Sequence, residues 1–187
     1  MTSSFDPVVV NMVVSGSLGL ELDVESVAGD IDAASSSTAP GRAYLSQKDD
    51  DPTVMAFRSG AITVAGATTE EEAEQQVRWF VDALSSLGIA VDADAVLDSM
   101  SVKYVVVKGD LRSSIELTAA AVALGLELTE YEPEQFPALI YRPENASCTV
   151  LIFSTGRVLV TGVESKERAE SVLESVASSL SGSGLLE

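Results

Sequence analysis

Histidine is absent from this sequence, cysteine occurs once, at Cys148, and lysine and aromatic residues are scarce. Without imidazole there is no His-dependent acid–base catalysis, and neither a zinc finger nor a Cys/His protease can be assembled. A single thiol rules out a disulfide within the chain. No uncharged run approaches the roughly 20 apolar residues of a membrane span, and the opening Met-Thr-Ser-Ser-Phe-Asp lacks a basic region ahead of an apolar core. A cytoplasmic protein without membrane contact is expected.

Positive charge is the other shortage. Eleven basic against 29 acidic residues leave a net charge of −18. In dilute buffer such a chain repels nucleic acid and anionic membranes. With 46% hydrophobic residues it is nevertheless too apolar for a disordered acidic tail and has ample material for a core. An acidic, lysine-poor, alanine- and valine-rich globular chain fits a cell with molar internal salt. There the screening length falls to about 3 Å, and repulsion from a phosphate backbone is largely erased.

What is present is a duplication. Val54, Phe57, Gly60, Val64, Gly66, Glu71, Ala73 and Glu74 recur 96 positions later at Val150, Phe153, Gly156, Val160, Gly162, Glu167, Ala169 and Glu170. Val13, Val14, Gly16 and Leu18 recur 93 positions later at Val106, Val107, Gly109 and Leu111. Two repeats are expected, residues 1–92 and 93–187. Each reads as a strand, a helix, a run of strands and a longer helix. β-Branched runs flanking Arg58-Ser59-Gly60-Ala61 and Ser154-Thr155-Gly156-Arg157 predict hairpins. The long helices are predicted to start at Thr69, with Glu72 completing a capping box, and near Ser165; they should stop at Gly88 and before Gly182. The fold class is α+β: an antiparallel sheet with helices on one face and the other face uncovered.

The acids are distributed unevenly. None occurs in residues 7–20, 33–48, 52–69, 99–109, 135–143 or 145–163, which hold most of the predicted strands, yet Arg42, Lys48, Arg58, Lys103, Lys108, Arg142 and Arg157 do. Burial alone excludes acids from strands, but it would exclude Arg and Lys as well. A sheet swept of acid and carrying bases suits an anionic partner.

The segment Tyr131-Glu-Pro-Glu-Gln-Phe-Pro-Ala-Leu-Ile-Tyr-Arg142, followed by Val150-Leu-Ile-Phe-Ser-Thr-Gly-Arg-Val-Leu-Val-Thr-Gly162, resembles the second repeat of archaeal and eukaryotic TATA-binding proteins. Asn11 to Gly19, Phe57 to Gly60 and Ala65 to Ala67 resemble the first repeat more loosely. The resemblance implies two tandem pseudo-symmetric repeats forming a curved antiparallel saddle, helices on its convex face, with DNA along the concave face. It also implies an archaeal transcription initiation factor from a halophile that binds AT-rich promoter DNA in the minor groove, wedging Phe pairs between base steps. Carried over residue by residue, the DNA-binding positions are Val106, Phe136, Leu151, Phe153, Leu159 and Thr161 in the second repeat, with Arg142 and Arg157 toward phosphates, and Asn11, Val13, Met55 and Phe57 in the first. Glu132 and Glu134 fall in the loop that the family uses to contact transcription factor B, which in turn links to RNA polymerase. No metal or cofactor is implied. Self-association through the apolar sheet is a further expectation.

The carry-over leaves alternatives open. Val106, Leu151 and Leu159 could belong to the helix-facing core, Asn11 to a turn or a sheet edge, and Glu132 and Glu134 to a solvated acidic loop. Pro40-Gly41-Arg42 stands where the first repeat's partner wedge is expected, Tyr104 stands in place of Asn, and Ala65 in place of Thr. Asp49, Asp50 and Asp51 fall between two first-repeat strands. These departures motivate a second reading, a divergent paralogue that acts chiefly as a protein-interaction or regulatory module with weak DNA binding. An enzyme is not expected, since carboxylates such as Asp110 and Glu116 have no nucleophile or phosphate loop to work with.

Overall fold

The computed structural model describes residues 5–186. It divides into two compact units, Asn11–Lys103 and a second formed by Tyr104 onward together with the segment ending at Val10. In that second unit the Asp110 N–H donates to the Phe5 carbonyl at 3.0 Å, and Arg112 pairs with Asp6. Compactness thus divides the chain inside two strands; the limits 1–92 and 93–187 stand as our proposal for the extent of the duplication.

In the first unit, strand β1 (Val8–Ser17) is followed by helix α1 (Val24–Asp30), strands β2 (Ser35–Ala39), β3 (Arg42–Ser46), β4 (Thr53–Phe57) and β5 (Ala61–Ala67), helix α2 (Glu70–Ser86) and the short helix α3 (Ala93–Asp98). The strands pair antiparallel in the order β2-β3-β4-β5-β1. In the second unit, strand β6 (Ser101–Asp110) precedes helix α4 (Leu117–Leu124), strands β7 (Thr129–Glu130), β8 (Ala138–Tyr141), β9 (Thr149–Phe153) and β10 (Arg157–Val163), and helix α5 (Lys166–Gly182). Its order, β6-β10-β9-β8-β7, repeats the first when read from the opposite edge. The expected α+β architecture of two tandem repeats, each an antiparallel sheet with helices on one face, is the architecture observed.

Alternation decides which side chains meet the helices. Val54, Ala56, Ile62 and Val64 in one hairpin and Val150, Ile152, Val158 and Val160 in the other are fully buried. Against them lie Ala73, Val77, Phe80, Val81 and Leu84 of α2, and Ala169, Val172, Leu173, Val176 and Leu180 of α5. Each fully buried Val, Ile or Leu contributes about 1.5–3 kcal/mol of transfer free energy, so these stripes dominate each unit's stability.

Both hairpins end on a glycine that no other residue could replace without disruption. Gly60 and Gly156 have φ of +81° and +86°, and a Cβ on either would stand 1.8 Å from the Leu20 carbonyl oxygen or 2.2 Å from that of Ser113. Their own carbonyls accept the N–H groups of Leu18 and Leu111 at 2.8 and 2.9 Å. The 96-residue glycine echo therefore marks the place where each hairpin tip docks on the chain leaving the first strand of its repeat.

Candidate nucleic-acid interface

On β9 and β10 the residues between the core positions, Leu151, Phe153, Leu159 and Thr161, are half-buried on the face away from the helices. Cross-strand pairing arranges them in rows: Val106 beside Thr161 beside Thr149, then Lys108, Leu159, Leu151 and Ile140, then Phe153 beside Ala138. Core positions are taken by their sequence neighbours Val105, Val107, Val150, Ile152, Val158 and Val160. The helix-facing alternative for Val106, Leu151 and Leu159 is thereby excluded. Phe136, in the loop before β8, is 39% exposed, and its ring lies 6.4 Å from that of Phe153 in an edge-to-face arrangement at 66°.

The two arginines differ. Arg142 follows β8 and forms an ion pair with Glu130 at 3.3 Å. Arg157 opens β10 across from Asp110 in the ladder and is exposed, with no ion pair among the described residues. Beside Arg142 a shallow hollow is lined by Tyr104, Thr149, Thr161 and Gly162. Cys148 borders it, and burial pushes its thiol above the ordinary range.

In the first unit the matching rows are Val13 beside Ala65 beside Thr53, then Ser15, Thr63, Met55 and Tyr44, then Phe57 beside Arg42. Ser15 and Thr63 share a hydroxyl hydrogen bond of 2.9 Å. Val13 is only 8% exposed and so buried, whereas Met55 and Phe57 are half-buried. Asn11 lies next to a β-bulge where the register shifts between Met12 and Val13, and the Gly66 N–H donates to its Oδ1 at 2.8 Å. Only the oxygen can receive that N–H, so the amide orientation is fixed and its NH2 remains a donor. A simple turn role is thus replaced by an oriented side chain at a bulge.

Among the described residues Phe57 has no aromatic partner corresponding to Phe136. Pro40 and Gly41, with Gly41 at φ +73°, form the two-residue connection of the β2–β3 hairpin, which is paired up to Ala39 and Arg42. At the place in the first unit that matches Phe136 there is thus a tight two-residue turn. Asp49, Asp50 and Asp51 lie in the β3–β4 loop. Glu132 and Glu134 are exposed in the loop between β7 and β8, where the Glu132 carboxylate accepts from the Gln135 amide.

All seven basic residues of the acid-free segments are exposed. Among the described residues only Arg142 of the seven is ion-paired, whereas of the other four Arg78, Arg112 and Lys166 are. Arg42, Tyr44, Lys108, Ile140 and Thr149 complete the open faces and were not among the residues expected there to bind DNA. Extending the period-2 alternation along each strand would have found them.

A protein-family model described as "Transcription factor TFIID (or TATA-binding protein, TBP)" matches residues 6–87 and again 99–182. The TATA-box-binding protein of Haloarcula marismortui is 41% identical over 179 residues, covering 95% of this chain and 94% of that protein. TATA-box-binding protein 1 of Haloferax volcanii is 36% identical, with 100% and 98% covered. Among solved structures, Methanococcus jannaschii TBP matches with a TM-score of 0.82 at 31% identity, covering 94% of this chain and 98% of that one.

Proposed function

The chain belongs to the TATA-binding protein family, and from that membership we propose that it is an archaeal transcription initiation factor binding the minor groove of AT-rich promoter DNA. It recruits transcription factor B and, through it, RNA polymerase. The observation that carries this reading is the Phe136–Phe153 edge pair on the half-apolar open face of the second unit's sheet. Side chains of this kind enter between base steps, unstack them and open the minor groove to the sheet. Val106, Leu151, Leu159, Val13 and Met55 supply apolar contact along the groove floor, and Thr161 a hydroxyl. The oriented NH2 of Asn11 meets the adenine N3 and thymine O2 acceptors that A·T pairs display there. Arg142 and Arg157 approach phosphates, Arg142 after leaving Glu130.

Apolar contact and wedging tolerate salt, while phosphate contacts weaken steeply with it. A −18 chain working in molar salt is expected to rely on the first. Glu132 and Glu134 form the contact with factor B, whose matching surface is basic. Without DNA, the same apolar faces support self-association.

Fluorescence anisotropy on an AT-rich promoter duplex in molar KCl, with and without factor B, tests this reading. Saturable binding that factor B strengthens is expected, and no binding in either condition refutes it. Phe153→Ala should weaken binding more than Arg157→Ala; the reverse order would show that phosphate contacts, and not wedging, dominate.

A further inference from the structure

The two units differ in chemistry at one matching position. In the second, Phe153 lies across from Ala138 and its ring meets Phe136, which the connection 131–137 between β7 and β8 delivers. In the first, Phe57 lies across from Arg42, and the Pro40-Gly41 turn holds no second aromatic. A cation thus stands on the open face beside the aromatic residue that in the other unit has an aromatic companion.

Arg42 is exposed and makes no ion pair among the described residues. Residues 33–48 contain no acid, and β3 carries the chain away from Arg42 so that Asp49, Asp50 and Asp51 follow its far end, about 15 Å along the strand. Arg58 occupies the same tip, its N–H donating to the Gly41 carbonyl at 3.0 Å. Its charge already acts on Asp23, whose carboxyl it helps to hold below the usual range behind the hydrogen bonds from Ser26. Neither guanidinium makes an ion pair among the described residues, but it is Arg42 that shares the open-face row of Phe57, and on so acidic a chain such a cation suits an anionic ligand.

We propose that Arg42 is a phosphate-binding residue of the DNA site, so that the first unit grips the duplex through a charge-assisted contact where the second inserts an aromatic pair. The proposal rests on the DNA-binding reading above and adds a polarity to it. The Phe136–Phe153 end holds at high salt, and the Arg42 end loosens as salt rises.

The test uses the full chain on a fluorescent AT-rich duplex across a KCl series. Arg42→Ala should change the slope of log affinity against log salt by about +0.9, the signature of one lost phosphate contact. Its affinity deficit should be largest at the lowest salt and shrink toward molar KCl. Arg42→Lys should keep the wild-type slope, and Phe136→Ala should lower affinity and DNA bending, read by energy transfer, at an unchanged slope. Circular dichroism confirms that each variant is folded, and Arg42→Gln replaces Arg42→Ala if the latter is not. If wild type binds and the uncharged variant keeps the wild-type slope, or if Arg42→Lys loses as much slope as Arg42→Ala, the Arg42 assignment is overturned while DNA binding stands. If wild type binds at no salt concentration, the DNA-binding reading falls and takes this one with it.

Discussion

Asn11 owes its orientation to a single backbone N–H, that of Gly66, held in a bulge with φ +99°. The second unit keeps the bulge, with Gly162 at φ +90°, but Tyr104 stands 93 positions after Asn11. A phenol has no amide to be fixed in this way, and it is 37% exposed at the hollow beside Gly162. Tyr104→Asn should therefore gain a fixed amide donor. Its expected effect is about 1 kcal/mol of tighter binding to a duplex with an AT centre, roughly fivefold, and little change with a GC centre. Anisotropy on the two duplexes checks this, and equal gains on both would show that the amide does not read the groove. Residues of this kind separate what was legible in the sequence from what was not. Phe136 and Phe153 could be read because each lies in a contiguous motif. The Asn11–Gly66 bond spans 55 positions and depends on a bulge, while the Arg42–Phe57 pairing is set by the register of β3 against β4 across the loop 47–52. Neither leaves a local pattern.

The helices show the same division one level up. α2 and α5 were readable because a 3.6-residue apolar stripe and a capping residue coincide at each, and Thr69 and Ser165 do cap them, accepting the N–H groups of Glu72 and Arg168 at 3.2 Å each. Two details differ. Glu72 reaches past Thr69 to the Thr68 N–H and hydroxyl, at 2.7 and 2.9 Å. α5 continues through Gly182, because Leu180 is still buried beneath it, and it ends only where Gly184 takes φ +71°. α3 was not foreseen: with one buried residue, Val96, it has no stripe to read. The caps carry a pH signature. Hydrogen bonds from helix-start N–H groups or hydroxyls hold the carboxyls of Asp23, Glu72 and Glu116 below their ordinary range. A depressed folded-state pKa stabilises above the unfolded value, and the contribution is lost as pH falls through the folded one. Across the carboxylate range, about pH 4, neutralising the other acids relieves repulsion as the caps are lost, so the caps are read as a difference from wild type. Glu72→Gln should lower the midpoint at neutral pH, and the gap to wild type should close on acidification. A gap that stays constant from neutral to acid pH would show that the Thr68 contacts do not stabilise the helix start through the carboxylate charge.

For the whole chain the question is whether salt stabilises or destabilises it, since ion pairs and like-charge repulsion are both screened. Attraction is sparse. Among the described residues there are four ion pairs, Arg78–Asp94, Arg112–Asp6, Arg142–Glu130 and Lys166–Glu170, all on exposed or half-exposed side chains. Pairs of this kind contribute at most about 1 kcal/mol each. Repulsion is plentiful, because 29 acids face 11 bases and most carboxylates therefore lack a cation. Shortening the screening length from about 10 Å at 0.1 M to about 3 Å at 1 M removes more repulsion than attraction. The thermal midpoint should thus rise with KCl and level off once the screening length falls below the spacing of the acids. Chloride is the anion to use, because sulfate strengthens apolar burial in any protein and would raise the midpoint regardless of charge. Circular dichroism melts across a KCl series measure the effect, and a midpoint that falls with KCl would show that the ion pairs outweigh the excess of acid.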